Sequence, residues 1–139
     1  MPQQANIVIN DGQATPVAHT FVPCGARQIA DGKVVAEWAE KVGSRVAWHR
    51  IQETHSQPNG NGVEKMRFVL TRPVLETLGG TVSGYVPADR VAYLPAATIE
   101  VWLPERASEA ELADVAAYVK NFTATTFFTD KVKKRDSSW

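Results

Sequence analysis

A single cysteine, Cys24, stands in 139 residues, which excludes an internal disulfide and any cysteine-rich zinc site. Only an intermolecular bridge through Cys24 stays open. No apolar run approaches the roughly 18 residues that would span a bilayer. The opening MPQQANIVIND has neither the basic nor the apolar region of a secretion signal. A soluble protein of a reducing cytoplasm, with no membrane partner, is the expectation. Net charge is missing as well: 15 Lys+Arg offset 15 Asp+Glu, so the overall balance points to no polyanionic partner. The distribution is uneven, however. From Arg45 to Arg72, five cations (Arg45, Arg50, Lys65, Arg67, Arg72) are opposed by Glu53 and Glu64. From Glu100 to Asp114, Glu100, Glu105, Glu109, Glu111 and Asp114 are opposed by Arg106 alone. The split reads as one positive and one negative face, as subunits meeting through opposite signs, or as two solvated surfaces.

Catalytic signatures are equally sparse. Glu37 and the Asp89-Arg90 pair have no nucleophile-base partner or phosphate-cradling glycine loop beside them, and Gly79-Gly80 reads as a turn. Cys24 lies between Pro23 and Gly25 with nothing nearby to activate a thiol. The histidines are His19, His49 and His55. His49 and His55 would share one face of a strand, but six residues apart they are too distant to share a metal. Bringing in His19 would require a chain crossing that sequence does not reveal. No enzyme, metal or cofactor is expected.

What is present is a strand that hands over to a capped helix between Thr98 and Phe122. Thr98, Glu100 and Trp102 alternate with Ile99, Val101 and Leu103, the period of a half-buried strand, and Pro104 ends it. Ser108 with Glu111 supplies a capping box. Leu112, Val115, Ala116, Val119 and Phe122 then recur every three or four residues, a stripe that must be buried against something. A second short helix follows, with Phe127, Phe128 and Val132 to bury and Lys131, Lys133, Lys134 and Arg135 exposed.

Upstream, Asn6–Asn10 and Ala14–Val22 flank the turn pair Asp11-Gly12 as a hairpin. Pro16 and Pro23 place it at a sheet edge. Cys24–Gly32 reads as a loop, and Val34–Trp38 as a strand. Ser44–Thr54 and Val63–Thr71 read as two arms joined by the turn-rich Ser56–Gly62. The second arm sorts cleanly, with Met66, Phe68 and Leu70 on one face and Lys65, Arg67, Val69 and Thr71 on the other. The first does not: Val46, Trp48, Arg50 and Gln52 compete with Ala47, His49, Ile51 and Glu53 for the buried side. Val91–Leu94 is a further strand, interrupted by Pro95. Strands first and helices last predict an α+β fold with antiparallel pairing. Two short helices cannot cover such a sheet, so a dimer that joins sheets edge to edge and lays each helix pair over its neighbour would solve the coverage problem.

In the order and spacing of these pieces the chain resembles the coat proteins of single-stranded RNA bacteriophages, the leviviruses. The pieces are Ile7-Val8-Ile9-Asn10-Asp11-Gly12, Val35-Ala36-Glu37-Trp38, Ser44-Arg45, long strands ending at Pro73, Leu78-Gly79-Gly80, Arg90-Val91-Ala92-Tyr93, a strand closing at Pro104, and two helices. The resemblance implies a single coat protein domain over 1–139, with an N-terminal hairpin in 1–24, the main antiparallel sheet in 33–104 and helices in 108–134. It further implies an interlocked homodimer, an icosahedral shell around genomic RNA, and a sheet that binds an RNA hairpin as translational repressor of the replicase. The virion is the implied location, after assembly in the cytoplasm of a bacterial host. The implied RNA-binding residues are Val35, Arg67, Val69 and Tyr93, with the neighbouring base Lys65, and with His49 and Arg50 as alternatives on the first arm. Cations would neutralise phosphates and the tyrosine ring would stack on a base. Pro95 close after Tyr93, and Trp48, Arg50 and Glu53 on the first arm, depart from the family pattern and favour general RNA binding over reading one operator. A small dimeric binding domain that uses an open sheet without forming particles is the competing reading.

Overall fold

The computed structural model describes residues 4–58, 60–77, 84 and 86–137. These fall into two compact units, Met1–Trp102 and Leu103–Trp139. Leu78, Gly79 and Gly80 lie outside the described residues.

The first unit is built on strands β1 (Ile7–Asn10), β2 (Ala18–Ala30), β3 (Lys33–Glu40), β4 (His49–Ser56) and β5 (Val63–Thr71), each antiparallel to the one before. β6 (Val74–Leu75) pairs with β7 (Val91–Tyr93) in a separate two-stranded sheet, and β8 (Ala96–Pro104) lies beside β5. The main sheet therefore runs β1-β2-β3-β4-β5-β8.

Register sorts the side chains. Trp38 stands opposite Ile51, and Ile51 opposite Leu70, so one apolar row crosses three strands. Trp38, Ile51 and Phe21 are each less than 10 % exposed, with Ile7, Ala36 and Leu70 packed against them. Full burial of such side chains contributes about 1.5–3 kcal/mol apiece. The Trp38 indole N–H donates to the Ala5 carbonyl at 3.0 Å, which satisfies the one polar atom of the row and ties the N-terminal segment to it.

Three sequence expectations change here. The hairpin turn is longer than Asp11-Gly12, because β2 begins at Ala18. The Asp11 N–H donates to the Val17 carbonyl at 2.9 Å, and its carboxylate accepts from the N–H groups of Val17 and Gln13 at 3.0 and 3.2 Å. Cys24–Ala30 is strand rather than loop: Pro23 and Gly25 read as breakers, but a register irregularity absorbs them, with Gly25 at φ +111°. β1 pairs with β2 only to Phe21, so Pro23 falls where that flank of β2 is free of β1. Finally, a single 3-10 turn at Arg45–Ala47 interrupts the first long arm, and its strand starts at His49.

The second unit holds α1 (Glu109–Thr123) and α2 (Thr126–Lys134). The expected capping box forms: the Glu111 N–H donates to Ser108 Oγ at 3.3 Å and the Ser108 N–H to Glu111 Oε2 at 2.8 Å. These bonds to Ser108 hold the Glu111 carboxyl below its usual range. Thr125 caps α2 through the Phe128 N–H at 3.2 Å. Phe122 meets Phe128 edge-on, with ring centroids 5.6 Å apart. Neither helix contains a buried residue, and Phe122, Phe127 and Val132 are each more than half exposed. The apolar stripe is present, and much of it is exposed on the helices themselves. Among the described residues no helix is long and apolar enough to cross a membrane. N-terminal hairpin, antiparallel sheet and two C-terminal helices together make the α+β fold that the sequence predicted.

Candidate nucleic-acid interface

Because Ile51 enters the apolar row, strand alternation turns Arg50, Gln52, Thr54 and Ser56 to the opposite face. The ambiguous phase of the first arm is thereby settled. Register extends that face across the sheet: Lys33, Ser56 and Lys65 form one row, Val35, Thr54 and Arg67 the next, Glu37, Gln52 and Val69 the third, and Ala39, Arg50 and Thr71 the fourth. Arg27 adds to the second row from β2. The first two rows, with Ile29 and Gln52, line a shallow groove of about 330 Å³.

The groove is rich in hydroxyls and cations held on regular strands. Glu37 is shared, accepting from Gln52 Nε2 at 3.0 Å and lying 3.8 Å from Arg27 Nη2. Glu100, arriving on β8, lies 3.0 Å from Lys65 Nζ and 3.5 Å from Arg67 Nε. Glu100, the first of the acidic segment, thus meets the basic segment within one chain. Lys65 also stands 5.5 Å above the ring of Trp102, which is 60 % exposed. Such a surface offers phosphates fixed cations and offers bases an aromatic plane.

Of the residues singled out from sequence, Val35, Arg50, Lys65, Arg67 and Val69 share this face, with Val35 buried at its centre. Arg50 donates to the Arg45 carbonyl at 3.4 Å and lies 5.6 Å from the Trp48 ring. Tyr93 stands apart on β7, opposite Val74 and largely exposed. His49 lies on the other face, opposite Glu40 in register, with its Nδ1 2.8 Å from Glu40 Oε2. There His19 joins it from β2, its Nδ1 2.8 Å from Glu40 Oε1 and its Nε2 3.4 Å from Asp11 Oδ2. Hydrogen bonding to Glu40, then to Asp11, raises the His19 pKa, and the Val17 backbone bond leads in lowering that of Asp11. His55 is separate, paired with Glu64 at 2.9 Å. Sequence reasoning missed Arg27, Lys33, Gln52, Thr54, Ser56, Glu100 and Trp102 on the groove side. The alternation of β4, once anchored at Ile51, is the signal that finds three of them.

The levivirus coat protein family matches residues 2–139 of the chain. Comparison with curated proteins gives no match. Among solved structures, the virus-like particle of bacteriophage ESE058 is 30% identical with a TM-score of 0.86, covering 99% of this chain and 100% of that one. The virus-like particle of bacteriophage NT-214 is 27% identical with a TM-score of 0.82, again over 99% of this chain and 100% of the other. The capsid protein of bacteriophage GA shares the fold at 21% identity and a TM-score of 0.70, over 95% of each chain. The chain belongs to the levivirus coat protein family, whose members are structural, non-enzymatic subunits of the virion shell of RNA phages.

Proposed function

We propose that this protein dimerises, assembles into an icosahedral shell, and receives genomic RNA on the polar face of its sheet. The observation that carries the reading is the double polarity of the chain. One sheet face presents Arg27, Lys33, Thr54, Ser56, Lys65 and Arg67 on fixed strands, while the helices carry exposed apolar side chains, Val115, Phe122, Phe127 and Val132. A second copy that lays its helices over the apolar side would cover what each chain leaves open, and edge-to-edge pairing of sheets would remove an open strand. The relatives solved as virus-like particles support assembly of this kind.

The RNA reading rests on chemistry. Lys65 and Arg67 neutralise phosphate, Val35 and Val69 give the face its apolar floor, and Thr54 and Ser56 supply hydroxyls to base or sugar edges. Trp102 and Tyr93 present exposed rings for stacking. His49, turned to the other face and engaged with Glu40, would not meet the RNA. Binding of a genomic hairpin on this face would couple packaging to repression of the replicase.

Expression of the chain alone tests the proposal. Particles of viral dimensions in micrographs, with absorbance that reveals trapped nucleic acid, are the expected result. A product that stays at twice the 15.2 kDa chain mass and carries no RNA would favour the binding-domain reading.

A further inference from the structure

We propose that His19, Glu40 and His49 form a binding site for one divalent transition-metal ion, of the zinc or cobalt class, that fastens the N-terminal hairpin to β3 and β4. The three residues come from three strands, and a ligand atom from each lies within 4.8 Å of the others. Both imidazoles turn Nδ1 to the same carboxylate, at 2.8 Å for His19 and 2.8 Å for His49, with ring centroids 5.8 Å apart. Tetrahedral coordination at ligand distances of about 2.0–2.1 Å sets neighbouring ligands about 3.3 Å apart. Each 2.8 Å nitrogen–oxygen pair is about half an ångström short of that spacing and would open by that much around an ion.

Two further features suit a metal. With Nδ1 on the ion, the other ring nitrogen of His19 is an N–H donor, and Asp11 Oδ2 stands 3.4 Å from it. Asp11 is itself held by the Val17 and Gln13 N–H groups, an outer carboxylate on an anchored turn. The side chains are also 15–25 % exposed, enough for an ion to enter and for water to complete its shell. Two imidazoles with one carboxylate favour zinc, cobalt or nickel over calcium or magnesium, which seek all-oxygen shells.

The test is metal analysis of the purified protein after chelator treatment, dialysis and reloading with Co(II) or Zn(II). One equivalent per chain, a visible Co(II) spectrum and a raised melting temperature are expected. His19→Gln and His49→Gln should lose that equivalent, while His55→Gln, which alters a histidine paired elsewhere, should keep it. Circular dichroism verifies that each variant folds. Should either fold poorly, carbethoxylation of the wild-type protein decides: added metal must shield His19 and His49 but not His55. Absence of stoichiometric uptake in the wild type, uptake that survives both variants, or shielding of His55 alone would overturn the proposal.

Discussion

Replacing Glu100 by Gln should strengthen RNA binding, and the size of the effect follows from the pairing around it. Glu100 lies 3.0 Å from Lys65 and 3.5 Å from Arg67, so two cations share one carboxylate and the trio carries a net charge of +1. The two cations are 40% and 51% exposed at the side chain. Ion pairs this open contribute about 0.2–1 kcal/mol, so an incoming phosphate competes readily with the carboxylate. Each phosphate neutralised on single-stranded nucleic acid adds about 0.7 to the slope of log affinity against log salt. Glu100→Gln takes the trio from +1 to +2 and should steepen that slope by about 0.7 per engaged subunit. Arg67→Ala takes it to zero and should flatten the slope by the same amount. Over a rise from about 50 to 200 mM salt, one such step is about a 2.6-fold change in affinity.

The assay is fluorescence anisotropy of a labelled single-stranded RNA with disassembled protein across that salt range. Glu64→Gln is the control, since Glu64 pairs with His55 on the far face and removes the same charge without touching the trio. The reasoning fails if Glu100→Gln leaves the slope unchanged, or if Glu64→Gln steepens it equally. The first result would mean that Lys65 and Arg67 never meet phosphate. The second would mean that only overall charge matters.

Ile51→Ala should destabilise the protein by about 2–5 kcal/mol and Ile51→Val by about 0.5–1.5, read from urea unfolding, because Ile51 is buried between Trp38 and Leu70. Acid should fray the start of α1: the Glu111 pKa is lowered by folding, so its contribution is present above the unfolded value and is lost as pH falls through the folded one. Ser108→Ala should remove this pH dependence of helicity, at a cost of about 1 kcal/mol, as followed by circular dichroism. Phe122→Asp should block dimer formation, because the ring is 52% exposed in the chain alone and the proposed dimer would cover it. Sizing that still shows particles would contradict that role.

Much of this was legible in sequence, for physical reasons that also mark where legibility ends. β5 declared its two faces because its alternation is unbroken, and α1 declared its start because Ser108 and Glu111 satisfy each other within four residues. Such signals are local. The first arm carries Trp48 and Arg50 on one phase and His49 and Ile51 on the other, so only pairing of Ile51 with Trp38 on β3 decides which side is buried. Pro23 and Gly25 mimicked a loop because a bulge uses the same residues as a turn. The contacts of Glu100 with Lys65 and Arg67, and of His19 with Glu40, depend on strand order, which periodicity does not encode.

Charge shows the same division between what composition reveals and what pairing decides. The polar face gathers five strand cations, Arg27, Lys33, Arg50, Lys65 and Arg67, against two carboxylates, Glu37 and Glu100. That is a net of +3 per subunit, and since the whole chain sums to zero, everything outside the face carries −3. A neutral chain can therefore present a positive surface to a polyanion while the rest of it stays acidic. In the proposed shell that separation would put net positive charge on the side that meets RNA. Electrostatic attraction would then fix which way each dimer faces before any base is read.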